Sequence, residues 1–210
     1  MLMSVTSFSQ AKRERCNCPE NSFAGTSPDT SFVLSNGKKI LLCGYINPGV
    51  KPATYSEFIL ATCGEPGIID FWDATETCSI RSVNDTLIVE NLVNLPTGKN
   101  RAFKETVWST ARIFYMDKLA VRAKTVNRNI PKYSEADITK TLKEYERSTG
   151  GISDEKIKLA NRLFMATISG DKKARQYFKA CKTRFGKLDG ALSEEYSDLS
   201  AMLAQWDDQK

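Results

Sequence analysis

Three carboxylates, two of which flank an aromatic pair, could do acid–base chemistry. Asp70 and Asp73 flank Phe71 and Trp72, and Glu57 precedes them in the chain. A hydrolase that works with two carboxylates needs one acid with a raised pKa, often beside a tryptophan, and a second acid across a cleft. Residues three apart on a regular strand point to opposite faces, so such a pair requires a bulge or a turn. Strand-end capping and solvation are the simpler interpretation of Asp70 and Asp73.

The 210-residue chain contains no histidine, which removes most other catalytic chemistry. Histidine is the usual general base of serine and cysteine hydrolases and the commonest transition-metal ligand. Glycine-rich phosphate loops and acidic calcium loops are absent as well. The composition therefore favours a non-catalytic protein, and it predicts neither a cofactor nor a metal.

Six cysteines form the second group with distinctive chemistry. Five lie in the first 78 residues, and the last lies far downstream: Cys16, Cys18, Cys43, Cys63 and Cys78, then Cys181. The even number and this clustering favour disulfides within the N-terminal half of an exported protein, with Cys181 left as a thiol. Cys16 and Cys18 are too close to pair with each other, so each should fasten the N-terminal segment elsewhere. A thiolate metal site and buried reduced thiols are the alternatives.

The first eleven residues have the composition of the end of an export signal. Residues 1–11 are small or apolar and carry no charge, and the composition changes abruptly at residues 12–15, Lys-Arg-Glu-Arg. A secretory signal has a basic start, an apolar middle and a small-residue end. The basic start is missing here. Together with the cysteines, this segment predicts a periplasmic or secreted location.

Two tryptophans are candidate binding residues. Tryptophan is enriched at binding hot spots, so Trp72 and Trp108 would anchor a protein or glycan partner if they lie on an exposed sheet face. The alternative for both side chains is burial in the core. Sequence alone does not decide which face of a strand meets water.

A run of basic residues between positions 172 and 187 contains no acid. On a helix, Lys172, Arg175, Lys179 and Lys182 gather on one stripe, which is typical of phosphate-binding surfaces. The segment that follows is acidic, and two neighbouring helices of opposite charge form a complementary pair. We therefore predict no nucleic-acid partner. No apolar run approaches the length that spans a membrane.

The segment 32–130 has the pattern of antiparallel strands. Turn signals every 8–12 residues favour a sandwich, a barrel or a large meander over a parallel sheet. Asn36-Gly37 predicts a type I′ hairpin turn, and Asn84-Asp85 predicts another turn. The predicted strands cover residues 32–35, 38–45, 56–63, 68–73, 78–83, 86–95, 103–107, 111–116 and 119–126.

The apolar period becomes helical from Ser134 onward. Ser134 has the position of an N-cap, and further helices are predicted to start at Ser153, Asp171 and about Gly190, the last running to Trp206. Short connections with glycine imply antiparallel neighbours, as in a small helical bundle or hairpin.

The sequence therefore predicts an α+β fold in which a β-rich portion precedes a helical portion. The predicted segments are a signal remnant at 1–11, an extended arm at 12–31, a β-rich domain at 32–130 and a helical portion at 131–210. The favoured function is a non-catalytic exported binding protein of inhibitor-like or immunity-like type, with a protein or glycan partner. A carboxylate-based glycan hydrolase and a structural or assembly component are the alternatives.

Overall fold

A computed structural model describes residues 16–20, 25, 27–47, 49, 51–64, 67–116, 119–149, 154–186 and 190–209. Within these ranges the strands are β1 (Thr30–Val33), β2 (Lys39–Asn47), β3 (Thr54–Thr62), β4 (Ile68–Trp72), β5 (Thr77–Val83), β6 (Thr86–Leu95), β7 (Lys104–Met116) and β8 (Leu119–Val126). The helices are α1 (Glu135–Arg147), α2 (Asp154–Ile168), α3 (Lys172–Phe185) and α4 (Gly190–Asp208). The predicted α+β class, with antiparallel strands before helices, is confirmed. The predicted signal remnant at 1–11 lies outside the described residues.

The strands follow the order β1-β2-β3-β5-β6-β7-β8, with β4 also paired to β3. The chain divides into two compact units. Unit 1 comprises residues 1–87 and 114–120, and unit 2 comprises residues 88–113 and 121–210. The division of the chain into a β-rich domain at 32–130 and a helical portion at 131–210 stays a prediction.

The hairpin of β1 and β2 is confirmed, but its turn differs from the predicted type. The Gly37 N–H donates to the Leu34 carbonyl at 3.0 Å, and the Leu34 N–H donates to the Lys38 carbonyl at 2.9 Å. Within this turn a positive φ occurs only at Gly37, at 80°. A type I′ turn needs two such residues. Asn84 and Asp85, with φ of 45° and 61°, supply them at the β5–β6 connection instead.

A bulge in β3 explains why β2 contains a glycine. Gly44 pairs with Phe58 and Tyr45 pairs with Ser56, so Glu57 is the extra residue and takes a φ of 47°. A Cβ atom at Gly44 would lie 2.4 Å from both the Glu57 carbonyl oxygen and the Phe58 Cβ. Only glycine fits at this point of β2, because any side chain would overlap β3.

The segments predicted as two strands at 103–107 and 111–116 form the single strand β7. Trp108 and Ser109, at the predicted break, are both buried within it. The bounds of β6 and β8 match the predicted strands, and the arm predicted at 12–31 gives its last two residues to β1.

The four helices and the strand residues of unit 2 enclose one apolar core. Ser134 caps α1 by accepting the Asp137 N–H at 3.2 Å, and Asp171 caps α3 by accepting the Ala174 N–H at 2.6 Å, as predicted. Ser153, the predicted start of α2, lies outside the described residues. Phe164 and Phe178 are fully buried in this core, with ring centroids 6.2 Å apart.

Candidate functional site

Two disulfides fasten the N-terminal arm to the sheet of unit 1. Cys16 is bonded to Cys63, and Cys18 is bonded to Cys43. The prediction that Cys16 and Cys18 each pair elsewhere is therefore confirmed. Both bonds join the arm to neighbouring strands, because Cys43 lies in β2 and Cys63 follows β3.

Cys78 was a disulfide candidate, but it takes part in neither bond. Its strand partner Tyr55 also pairs with Ile46, so these three residues share one side of the sheet. That side is opposite to the one that carries Cys43. Cys78 and Cys181 are buried thiols, and burial raises the pKa of Cys181 to about 12. Cys181 remains a thiol, as predicted, and is poorly suited to nucleophilic chemistry.

Strand register places both disulfides on one side of the unit 1 sheet. Cys43 pairs with Ile59, and Leu41 pairs with Ala61. Directly paired residues point to the same side, and so do alternate residues along a strand. Cys63, two residues beyond Ala61, therefore lies on the same side as Cys43. We call this side the disulfide face.

The disulfide face also carries exposed apolar side chains. Phe71 pairs with Ile59, and Ile68 pairs with Ala61, so both belong to it. Tyr45 belongs to it by alternation from Cys43, and Val33 by its pairing with Lys39. Tyr45 is 53% exposed and Phe71 is 49% exposed. The face thus presents aromatic and aliphatic side chains to solvent beside the disulfides.

All the large apolar side chains that are exposed in the described residues lie in unit 1. They are Val33, Tyr45, Ile46, Ile68, Phe71, Val83, Met116 and Leu119. By alternation from Ser79, which pairs with Thr54, Val83 also belongs to the disulfide face. Ile46 points to the opposite side, because it precedes Asn47 and follows Tyr45 on a regular stretch of β2.

Two of the three carboxylates proposed for catalysis accept nearby backbone N–H groups, and the third residue, Glu57, donates its own main-chain N–H to the Asp73 carbonyl at 3.2 Å. Asp70 accepts the Phe71 N–H at 2.9 Å, and Asp73 accepts the Thr75 N–H at 2.8 Å. The hydrogen bonds from Thr75 lower the pKa of Asp73, whereas a general acid needs a raised pKa. Glu57 is the bulged residue of β3. For Asp70 and Asp73 the geometry thus favours turn and strand-end capping, the simpler interpretation of these two acids.

The two tryptophans proposed as partner anchors are buried, so the condition for that prediction is not met. Trp72 and Trp108 are each 2% exposed. Trp72 stacks on Phe58 with ring centroids 4.7 Å apart, and Trp108 lies 5.9 Å from Trp206. Alternation places Trp72 on the side of β4 opposite to Phe71. The adjacent Phe71 is therefore the exposed aromatic of this strand.

A partly buried ion pair in unit 2 was not predicted from the sequence. The Arg101 guanidinium donates to both carboxylate oxygens of Glu144, at 2.7 and 2.9 Å, and to the Thr141 hydroxyl at 3.1 Å. Arg101 has a φ of 61° and is 6% exposed. Its hydrogen bonds lower the pKa of Glu144. These partners are 43 residues apart, and no local pattern signals the pairing.

The basic stripe of α3 is partly neutralised by its neighbours. Arg175 binds both carboxylate oxygens of Asp207 at 2.6 and 2.9 Å, which confirms the predicted pairing with the acidic last helix at this position. Lys173 instead pairs with Glu146 of α1 at 2.7 Å. The absence of a nucleic-acid partner stays a prediction.

Within the described residues, no three potential ligands form a metal-binding group. No helix in the same ranges is long and apolar enough to cross a membrane. No family model, no curated protein and no solved structure matches this chain.

Proposed function

We propose that this protein is a non-catalytic exported binding protein, and that its disulfide face binds a protein or glycan partner. One observation carries the proposal: Tyr45 of β2 and Ile68 and Phe71 of β4 are exposed on the same side of the sheet, with β3 between these two strands. Monomeric soluble proteins rarely expose large contiguous apolar patches, and such patches mark interaction sites. Aromatic residues are also enriched in the cores of interfaces.

The disulfides support the exported part of the proposal. Disulfides persist in oxidising compartments and are rare in the cytosol, so two of them near one face favour a periplasmic or secreted protein. The lowered pKa of Asp73 gives the glycan-hydrolase alternative no support. A structural or assembly component would bury the same face against further subunits, and light scattering separates that alternative from a monomeric binding protein.

Substitution of the exposed side chains tests the proposal. A variant with Tyr45→Ser and Phe71→Ser should lose saturable binding to periplasmic or extracellular fractions and to a glycan array, because it removes the aromatic contacts. The control is Ile46→Ser, which alters a comparably exposed side chain on the other side of β2. Equal binding by wild type, the double variant and the control would contradict the proposal.

A further inference from the structure

Residues 16–20, which we call the strap, lie against the disulfide face through their two cysteines. Cys18 packs with Leu41, Cys43 and Ile59 in one buried cluster, and Cys16 and Cys63 lie at its margin. Asn17 and Glu20, by contrast, are exposed. The strap therefore adds to this cluster through its cysteines, and the two disulfides are what fasten it there.

The strap covers apolar side chains that continue the exposed patch. Leu41 is 1% exposed and Ile59 is 2% exposed, although both lie on the same side of the sheet as Tyr45 and Phe71. Ile59 is the direct strand partner of Phe71. Without the strap, the covered and the exposed residues would form one larger apolar surface.

The two disulfides differ in their access to solvent. Cys16 and Cys63 are half-buried, whereas Cys18 is 7% exposed and Cys43 is fully buried. Thiol–disulfide exchange begins when a thiolate attacks one sulfur, so its rate depends on access to that sulfur. A reductant should therefore cleave Cys16–Cys63 before Cys18–Cys43.

We infer that the strap is a redox-controlled cover, which a dithiol reductant removes in two ordered steps to enlarge the binding surface. In each step one thiolate of the reductant attacks a protein sulfur and releases the other protein cysteine as a thiolate, which takes up a proton. The second thiol of the reductant then resolves the mixed disulfide. Each step passes two electrons and two protons to the protein and converts one dithiol molecule into a disulfide.

The link between this cover and partner binding rests on the proposed function, but the uncovering is testable by itself. Cys78 and Cys181 are both fully buried and act as internal reporters of the folded state. The sheet also has a second buried side, formed by Ile40, Leu42, Phe58, Leu60 and Trp72, that does not depend on the strap.

The experiment treats the oxidised protein with dithiothreitol under native conditions, quenches samples with N-ethylmaleimide and maps the alkylated cysteines. We expect Cys16 and Cys63 to be alkylated first, then Cys18 and Cys43. The fluorescence of an apolar dye should rise several-fold only at the second step, while Cys78 and Cys181 stay unmodified. Alkylation of Cys78 together with Cys18, or full reduction without a dye response, would overturn the inference.

Two paired variants serve as controls. Cys16→Ser with Cys63→Ser removes the first bond alone and should leave dye fluorescence close to that of the oxidised wild type. A variant with all four cysteines replaced by serine should bind the dye without reductant. A rise in dye binding that leaves partner binding unchanged would support the cover and count against the proposed function. A dye response already complete in the first variant would contradict the ordered mechanism.

Discussion

Units 1 and 2 differ in how far their large apolar side chains are buried. Unit 2 encloses its aromatic residues, including Trp108, Phe164 and Trp206, in one core made by helices and strand residues. Unit 1 also buries one side of its sheet, but its other side exposes Tyr45 and Phe71 next to a small cluster that two disulfides hold in place. Every exposed large apolar side chain of the described residues belongs to unit 1.

This difference suggests that the buried apolar side chains stabilise the fold and that the exposed ones contact a partner. Apolar surface that is removed from water stabilises the fold, whereas apolar surface left in water contributes little until a partner covers it. Side chains of the same type should therefore have opposite roles in the two units.

We expect the clearest difference between one phenylalanine of unit 1 and one of unit 2. Phe164→Ala should lower the free energy of unfolding by about 3–5 kcal/mol, because it leaves a cavity in a fully buried site. Phe71→Ala should lower it by only about 1 kcal/mol, since that side chain is 49% exposed and loses about half as much buried apolar surface. Urea unfolding followed by circular dichroism measures both values. Similar losses of unfolding free energy for the two variants would contradict the proposed difference between the units.

The next effect concerns the backbone beneath the disulfide face. Gly44→Ala should destabilise unit 1 by about 2–3 kcal/mol, because the new methyl group would overlap the main chain of β3. The matched control is Gly49→Ala, whose Cβ would meet its nearest neighbour at 3.6 Å. Urea midpoints of both variants measure the difference, and a stable Gly44→Ala protein would show that the bulge at Glu57 can relax.

A smaller effect is expected for the ion pair of unit 2. Arg101→Met should lower the free energy of unfolding by about 2 kcal/mol. This loss is smaller than that expected for a fully buried pair, because the Glu144 side chain is 31% exposed. The pKa of Glu144 is lowered in the folded state, so its contribution is present above its usual value of 4.5 and is lost as the pH falls through the folded-state pKa.

Urea unfolding of wild type and Arg101→Met from about pH 7 to about pH 3 measures this linkage. The difference in stability between the two proteins should shrink as the pH falls. A difference that stays constant over the whole range would show that Arg101 stabilises unit 2 by packing rather than by charge.

The smallest effect is expected for the ion pair of Lys173 and Glu146. Both side chains are largely exposed, and such pairs contribute little to stability. Lys173→Met should leave the urea midpoint unchanged within error at low and at high salt. A clear loss of stability at low salt that disappears at high salt would mean that the surface charges of α1 and α3 contribute measurably to the stability of unit 2.

Local sequence signals predicted much of the fold. The caps Ser134 and Asp171 and the bounds of β6 and β8 were correct, because capping and alternation depend on neighbouring residues. The sequence predicts two strands where the structure has the single strand β7, because the polar pair Ser109-Thr110 interrupts the apolar pattern. Ser109 is nevertheless buried in unit 2, where it is only 1% exposed.

The candidate site could be predicted only in part. Clustered cysteines indicated a fastened arm, but alternation does not reveal which side of a strand meets water. Trp72 and Phe71 are adjacent, and the structure buries the first and exposes the second. Leu41 and Tyr45 share a side yet differ in exposure, because only Leu41 packs with the cysteine cluster. Such differences arise from contacts between distant residues.

Site-specific cross-linking would show which unit a partner contacts. A photo-reactive benzophenone amino acid would replace Phe71 on the disulfide face or, as the control, Lys140 on the exposed side of α1. Each protein would be irradiated with periplasmic or extracellular fractions of the native source over a range of concentrations. We predict one saturable adduct from position 71, competed by unlabelled wild type, and none from position 140. The same adduct from both positions, or adducts from position 140 alone, would contradict the assignment of recognition to unit 1.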